Sequence, residues 1–191
     1  ARSRQASNAV TLALHISSAP VTLERFVLPL VPRMRALGMD STFVTNRLGE
    51  FDAIPESVDV CDAGIHRGRD IWRGWLNSRA ASDQLLQRRP DIAFVHTPAT
   101  AVSALPLLRR LHNAGVRLVY VARGSLDESS SSRTRAAWAL GDPVKWRLWD
   151  GFAVANTYLA NEVVSKGKGK PYCLMSLGAA WPNLPIDLPP I

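Results

Sequence analysis

Residues 91–121 read DIAFVHTPATAVSALPLLRRLHNAGVRLVYV, and this stretch decides the fold. Two short apolar runs, at residues 91–95 and 116–121, enclose an apolar segment at 98–112 that is long enough for a helix and is followed by Gly115. A short apolar run without polar alternation is typical of a strand that is buried on both faces of a sheet. The order of strand, helix and strand therefore predicts two parallel strands joined by a helical crossover.

The same alternation extends outward in both directions. Further strands are predicted at residues 10–16, 41–45, 58–61, 151–155 and 171–175, and further helices at 23–37, 70–88, 133–149 and 157–165. Pro29 and Pro32 should bend or split the first helix, and Thr157 is a candidate N-cap for the last. The pattern predicts an α/β fold: a Rossmann-like, doubly wound, mostly parallel sheet with helices on both faces.

The two ends differ in composition from the predicted domain at residues 10–180. Residues 1–9 are polar and are expected to be a disordered leader or a cloning remnant. Residues 181–191 contain four prolines, which predicts a linker or an extended arm. Four consecutive serines at 129–132 predict a mobile loop within the domain.

The composition limits the class of protein. The 191 residues carry a formal net charge of +7, and 47% of them are hydrophobic, as expected for a globular domain with a core. The positive charge favours an anionic partner, but the chain has no zinc-finger or RNA-binding aromatic motif, so nucleic acid is not the expected one. No apolar run approaches the roughly 18 residues that a membrane span needs. Cys61 and Cys173 lie far apart, which predicts neither a disulfide framework nor a zinc site and favours a reducing compartment.

The loops that follow the predicted strands hold the candidate site, because parallel sheets bind ligands beyond the carboxyl ends of their strands. Ser17 and Ser18 follow the first strand, either as ligand-binding groups or as ordinary turn residues. The chain lacks GxGxxG and GxxxxGK[ST], so a tight dinucleotide site and P-loop chemistry are not expected. It also lacks HExxH, paired carboxylates and a Ser-His-Asp order, so no catalytic residue, metal or cofactor is predicted.

Three segments, taken in order, carry a family resemblance. They are RALG at residues 35–38, RPDIAFVHTP at 89–98 and DGFAVAN at 150–156. Their order and spacing resemble the N-terminal half of glycosyltransferase family 4, and more narrowly the members that build capsular and exopolysaccharide repeat units. The resemblance covers about residues 10–178.

This resemblance implies the GT-B class, whose members have two Rossmann-like domains. The N-terminal domain of such enzymes binds the acceptor, and the C-terminal domain binds the nucleotide sugar that serves as donor substrate. The chain is then expected to be an acceptor-binding domain that works with a C-terminal donor domain or a separate donor subunit, and to be inactive without it. The implied acceptor is a saccharide, lipid-linked in this family, which places the protein in the cytoplasm at the inner face of the cell membrane.

The resemblance also indicates acceptor-binding residues. His96 and Thr97 lie in the matched segment, where contact with the acceptor and hydrogen bonding of the following turn are both open interpretations. Arg67 and Arg69 follow the third strand, either in the cleft or in solvent.

The chain departs from the family pattern after the fifth strand. The family usually has a His-Gly pair there, whereas this chain has Arg123 and Gly124. An arginine stays charged and cannot act as a general base, but its fork of donors can hold a phosphate or a sugar hydroxyl. Gly124 is expected to supply backbone freedom beside the ligand.

Tryptophan and basic residues are mixed in two segments, which contain Trp72, Arg73 and Trp75, and Trp146 and Arg147. Such mixtures suit the lipid headgroup layer, so these residues are candidates for an anionic membrane surface. The alternative is that the rings fill the core or an interface with the donor domain.

The sequence therefore predicts the acceptor-binding domain of a glycosyltransferase of surface polysaccharide synthesis. A non-catalytic subunit that recruits the acceptor is the first alternative. A nucleotide-binding α/β domain, such as that of a sugar-nucleotide epimerase, is the second.

Overall fold

The structure is a computed structural model that describes residues 10–46, 58–65, 71–123, 146–167 and 169–175. Its strands are β1 (Thr11–Ile16), β2 (Met39–Thr45), β3 (Asp59–Asp62), β4 (Ile92–His96), β5 (Arg117–Ala122), β6 (Gly151–Val154) and β7 (Tyr172–Leu174). Its helices are α1 (Pro20–Phe26), α2 (Val31–Ala36), α3 (Ile71–Gln87), α4 (Pro98–Ser103), α5 (Leu105–Asn113) and α6 (Thr157–Lys166), with a 3-10 helix at Leu28–Leu30.

The strands form one seven-stranded sheet in the order β3-β2-β1-β4-β5-β6-β7. Each neighbouring pair is parallel, including the pair formed by the short edge strand β7. The predicted Rossmann-like, doubly wound α/β sheet is confirmed. The strand order reverses between β1 and β4, because the chain first builds outward from β1 to β3 and then from β4 to β7.

The prolines act on the helices in two ways. Pro29 and Pro32 split the predicted helix at residues 23–37 into α1, the 3-10 helix and α2, as expected. The predicted helix at 98–112 is also split, and that was not expected. Pro106 lies in the first turn of α5 and has no N–H to offer the preceding turn, so the chain ends α4 and starts α5 around Ala104.

The N-cap predicted for the last helix is wrong by one residue. Asn156 is extended, and its side chain accepts a 2.9 Å hydrogen bond from the N–H of Leu159. Thr157 is the first helical residue of α6. Asparagine is as good an N-cap as threonine, so the sequence alone did not separate the two neighbours.

The two faces of the sheet bury different amounts of apolar surface. The larger cluster packs β-strand residues such as Leu14, Val95 and Tyr120 against buried side chains of α3, α4, α5 and α6. The smaller cluster lies on the opposite face and comprises Leu23, Val27, Val31, Phe43 and Val58. We call the two sides of the sheet the large-cluster face and the small-cluster face.

Two aspartates stabilise the edge of the sheet at which the strands begin, which we call the amino edge. Asp91, just before β4, accepts a 2.8 Å hydrogen bond from the N–H of Leu12 in β1. Asp150, just before β6, accepts a 2.8 Å bond from the N–H of Leu118 in β5. Each carboxylate thus ties the start of its own strand to the neighbouring strand. These motif residues lie at the edge opposite the candidate site.

Several expectations fall outside the described residues. They are the leader at 1–9, the serine loop at 129–132, the helix at 133–149 except for a helical turn at 146–148, and the arm at 181–191.

Candidate functional site

In doubly wound sheets a crevice lies at the carboxyl ends of the two strands between which the strand order reverses, here β1 and β4. The segments that leave these two strands run in opposite directions along the sheet, and ligands of such folds bind in the space between them. The walls of the crevice come from residues just after β1, residues just after β4 and the residue that follows β5. We call this the switch-point crevice.

A hydrogen-bonded bridge joins the two walls at the base of the switch-point crevice. The N–H of Ser18 donates to Thr100 Oγ1 at 2.8 Å, and the two side-chain oxygens lie 3.0 Å apart. Thr97 Oγ1 lies 2.9 Å from the same Thr100 oxygen and caps α4. Thr97 has a φ of 75°, a left-handed conformation that is strained for a β-branched residue. Strain of this kind is common where a backbone is held for binding.

Two histidines meet beside this bridge on the small-cluster face. His15 of β1 and His96 at the end of β4 are both buried, and His15 Nδ1 lies 3.4 Å from His96 Nε2. The His15 ring stacks on Phe94 and meets Phe43 edge-on. The predicted core packing of His15 is therefore correct, but the side chain is also part of a polar chain.

The contact with Arg123 determines which nitrogen of each histidine ring carries the proton. Its Nη2 lies 3.1 Å from His96 Nδ1, and because an arginine only donates, this ring nitrogen must accept. The proton of His96 then sits on Nε2 and points to His15 Nδ1. That leaves the proton of His15 on Nε2, which is buried and has no hydrogen-bond partner among the described residues. The chain runs from Arg123 through His96 to His15 in one donor direction.

Burial keeps both rings neutral. It lowers the pKa of His15 to about 3. The pKa of His96 also lies well below its usual 6.5, first because of burial and then because a proton on this ring would be repelled by a protonated His15 and by the Arg123 cation. Neutral buried rings of this kind serve as fixed hydrogen-bonding groups rather than as proton carriers.

The Arg123 guanidinium is a half-buried cation in the switch-point crevice. It lies over the ring of Phe26 at 4.0 Å from the centroid, a favourable cation–π distance. Its Nε is buried and has no partner in the described part of the chain. None of the ion pairs formed among the described residues includes Arg123. Burial lowers its pKa, but the group stays charged.

The structure brings most of the predicted acceptor residues together. Ser18, His96, Thr97 and Arg123 all lie at the switch-point crevice. Ser17 is buried beside them, where its hydroxyl donates to the carbonyl of Ala19 and accepts from its N–H, both at 3.1 Å, so it serves the turn.

Three predicted residues stay untested, and two residues of the site were not predicted. Arg67, Arg69 and Gly124 lie outside the described residues. Sequence reasoning missed Thr100 and Phe26. Thr100 had a signal, since it follows Thr97 by three residues at the start of a helix, where capping groups meet. Phe26 had none, because its contact with Arg123 joins residues far apart in the chain.

The tryptophan segments divide between surface and core. Trp72 is 68% exposed and packs edge-on to Trp75, whose Nε1–H donates to the carbonyl of Val102 at 2.9 Å. Arg73 and Arg147 are exposed. The membrane-surface role expected of Trp146 is wrong: its ring is buried and lies 5.1 Å from the ring of Phe152, because this segment folds back onto β6.

A basic groove lies between α3 and α5, next to Trp75. This cavity of about 430 Å³ is lined by Trp75, Leu105, Pro106 and the arginines Arg79, Arg109 and Arg110. Arg110 pairs with Asp83 at 2.5 Å. No helix in the described ranges is long and apolar enough to cross a bilayer. Among the described residues, no three or more His, Cys, Asp or Glu side chains cluster so that they could hold a metal ion.

Solved structures with the same fold are only distantly related in sequence. A UDP-GlcNAc 2-epimerase from Neisseria meningitidis, solved with UDP-GlcNAc, is 12% identical with a TM-score of 0.58, and the match covers 85% of this chain and 44% of that one. Phytolacca americana UGT2, complexed with UDP-2-fluoro-glucose and pterostilbene, is 13% identical with a TM-score of 0.54, covering 86% and 53%. The chain thus spans about half the length of these proteins. No curated protein matches it significantly.

A family model matches most of the chain. The model of Glycosyltransferase Family 4 aligns with residues 23–167, a range that includes β2 to β6 and the crevice residues that follow β4 and β5. This agrees with the motifs at residues 35–38, 89–98 and 150–156 and with the fold of the solved structures. The chain belongs to glycosyltransferase family 4.

Proposed function

We propose that this chain is the acceptor-binding domain of a glycosyltransferase. It holds a saccharide acceptor while a donor domain, in the same protein or in a separate subunit, presents a nucleotide sugar. The switch-point crevice carries this proposal, because it places hydroxyl, imidazole and guanidinium groups at the ligand-binding edge of a chain of glycosyltransferase family 4.

The polar groups of the crevice suit a sugar. Thr97 and Arg123 are partly exposed and offer a ligand a hydroxyl group and a fork of donors. The buried Thr100 hydroxyl holds Ser18 and Thr97 in place behind them. The exposed ring of Phe26 beside Arg123 adds an apolar face, such as a pyranose ring needs. The described groups orient an acceptor but supply no general base, because Arg123 cannot accept a proton and the lone pair of His96 Nδ1 is engaged. The transfer chemistry is therefore assigned to groups outside the described residues.

We further propose that the acceptor is lipid-linked, serves surface polysaccharide synthesis and is met at the inner face of the cell membrane. Two features on the α3 side support this part. Trp72 and Leu76 expose large apolar side chains one helical turn apart. The neighbouring groove carries three arginines. An amphipathic ring together with cations suits an anionic headgroup layer, where each basic residue contributes about 1 kcal/mol.

The acceptor role is tested by titrating the 15N-labelled chain with neutral disaccharides, with hexose 1-phosphates and with uridine diphosphate. We expect amide shifts at Ser18, Thr97 and Thr100 with the saccharides and none with the nucleotide. Clear binding of uridine diphosphate alone would contradict the proposal and favour the epimerase-like alternative.

A matched pair of variants keeps this test specific. Thr100→Val removes the bridging hydroxyl while preserving shape, so saccharide binding should weaken at least fivefold. Thr157→Val makes the same change on the exposed start of α6 and should leave binding unchanged. Equal binding by the two variants would place the acceptor elsewhere. Reading the gene beyond Ile191 tests the single-chain form of the enzyme: a donor domain that follows in the same chain would support it, and a stop codon would favour a recruiting subunit.

A further inference from the structure

We infer that the switch-point crevice recognises an oxyanion on its ligand, a phosphate or a carboxylate, and that Arg123 is the residue that binds it. The inference rests on the proposed function and deepens it, because it assigns a charge to the acceptor. It also assigns His96 as the positioning residue that holds the arginine fork.

The first argument is the charge of Arg123. The guanidinium is half-buried, and none of the ion pairs among the described residues reaches it. A cation removed from water without a counterion is unfavourable, and proteins tolerate it chiefly where a ligand supplies the opposite charge. Arg110 in the α3–α5 groove is the contrasting case, because its guanidinium pairs with the carboxylate of Asp83.

The second argument is the set of unused donors. A guanidinium has five N–H donors in a rigid plane, and His96 Nδ1 accepts from Nη2 only. The Nε–H is buried and lacks a partner among the described residues. An orphaned buried donor is costly, and an acceptor oxygen next to it removes that cost. Carboxylate and phosphate oxygens match this fork because they accept two parallel hydrogen bonds.

The third argument is pre-organisation. Phe26 supports one face of the guanidinium at 4.0 Å, and His96 holds one edge at 3.1 Å. His96 can hold that edge only while its Nδ1 carries no proton, and its proton then sits on Nε2, which lies 3.4 Å from His15 Nδ1. The two buried rings therefore aim Arg123 at the crevice without competing for the anion. A fork that is fixed before binding loses less conformational entropy when the ligand arrives.

Arg123→Gln and Arg123→Lys test the inference in the chain as it stands, with Arg33→Gln as the control at an exposed arginine of α2. The probes are glucose 1-phosphate, glucuronate and glucose, titrated by calorimetry and by amide shifts at low ionic strength. We expect Arg123→Gln to weaken both anionic sugars at least tenfold and glucose less than twofold. Arg123→Lys keeps the charge without the fork and should recover part of the loss, whereas Arg33→Gln should bind as the unaltered chain does.

The role of His96 is tested separately. His96→Asn keeps an acceptor near the position of Nδ1, and His96→Leu removes it. We expect the Asn variant to retain most of the affinity for anionic sugars and the Leu variant to lose most of it. The Nε–H signal of Arg123, observed by NMR, should broaden in the Leu variant only, while its backbone amide spectrum stays dispersed, which separates the lost contact from a general loss of fold.

Three results would distinguish a failure of the inference from a failure of the proposed function. If glucose and the anionic sugars bind the crevice equally, with or without Arg123, the oxyanion inference is overturned and the acceptor role stands. If no sugar binds while uridine diphosphate does, the proposed function itself fails. Equal loss in Arg33→Gln would show attraction by net charge alone and would also overturn the inference.

Discussion

The two faces of the same sheet differ in what they bury. On the large-cluster face, β1 and β4 contribute Leu14 and Val95 to a continuous apolar core. On the small-cluster face, the alternate residues of the same strands include His15 and His96. Since neighbouring residues of a strand point to opposite faces, each strand supports the fold with one set of side chains and the crevice with the other. Stability and binding should therefore respond to different substitutions in one strand.

The largest effect should come from the large-cluster face. Leu111 of α5 is fully buried there, and Leu111→Ala should lower the free energy of unfolding by about 2–5 kcal/mol, since it removes buried surface and leaves a cavity. Chemical denaturation measures this. Leu37→Ala, at a side chain that is 79% exposed, should cost less than about 0.5 kcal/mol. Similar costs at the two positions would show that the large cluster is not the main source of stability.

The next effect is a pH dependence that belongs to the small-cluster face. The pKa of His15 falls from 6.5 to about 3 on folding, so the unfolded chain binds the proton more readily below pH 6.5. The contribution of the neutral His15 ring to the free energy of unfolding is thus fully present above pH 6.5 and is lost as the pH falls toward 3. His15→Asn removes this contribution, and its stability between pH 8 and pH 4 should fall by a few kcal/mol less than that of the unaltered chain.

This prediction is checked by denaturation at several pH values, with each protein referred to its own stability at pH 8. That reference removes any general cost of the substitution. Parallel pH profiles for the two proteins would mean that His15 does not titrate on unfolding in the way its burial implies.

A smaller effect is expected at the amino edge, which both faces share. Asp91→Ala and Asp150→Ala each leave one strand N–H without its carboxylate, which should cost about 1–2 kcal/mol. The Asn variants keep an acceptor oxygen and should recover part of the loss. Saccharide binding should not change beyond that stability effect, because the crevice lies at the opposite edge. A loss of saccharide binding in folded Asp91→Ala would show that the amino edge and the switch-point crevice are not independent.

The smallest effect on stability is expected outside both faces. Trp72 is 68% exposed, so Trp72→Ser should change the free energy of unfolding by less than about 0.5 kcal/mol. Co-sedimentation with anionic vesicles at low salt should nevertheless fall, whereas Tyr158→Ser, at a ring that is 66% exposed on α6, should bind as before. Equal binding of anionic and neutral vesicles by the unaltered chain would remove the membrane role.

The sequence predicted the strands of the sheet well, because each is a short apolar run bounded by turn residues. It also placed Ser18, His96, Thr97 and Arg123 in one cleft, since the carboxyl ends of parallel strands share one edge. It did not predict the bridge to Thr100 or the contact between His15 and His96, which join residues 82 and 81 positions apart. Such pairs depend on the register of β1 against β4, which no local pattern encodes.

Local chemistry explains the remaining errors. Pro106 divides a helix whose apolar period continues across the break. Asn156 and Thr157 are equally good caps, and only the backbone decides between them. Trp146 has a basic neighbour, Arg147, and this mixture is typical of a segment that binds a membrane surface. Its burial results from the position of β6 beside it, which composition does not reveal.

The pairing of β1 with β4 predicts an order of events in folding. Every other strand pair of the sheet joins neighbours in strand sequence, whereas Ala13 pairs with Ile92, 79 residues further along the chain. We expect the closing of this longest loop to be the slowest of these steps, since its entropic cost is met before its contacts form. We expect β1–β3 and β4–β7 to gain structure first and to dock last along this one ladder. The crevice would then come into existence at the final step, and a bound ligand would slow the reverse step by holding the two halves together.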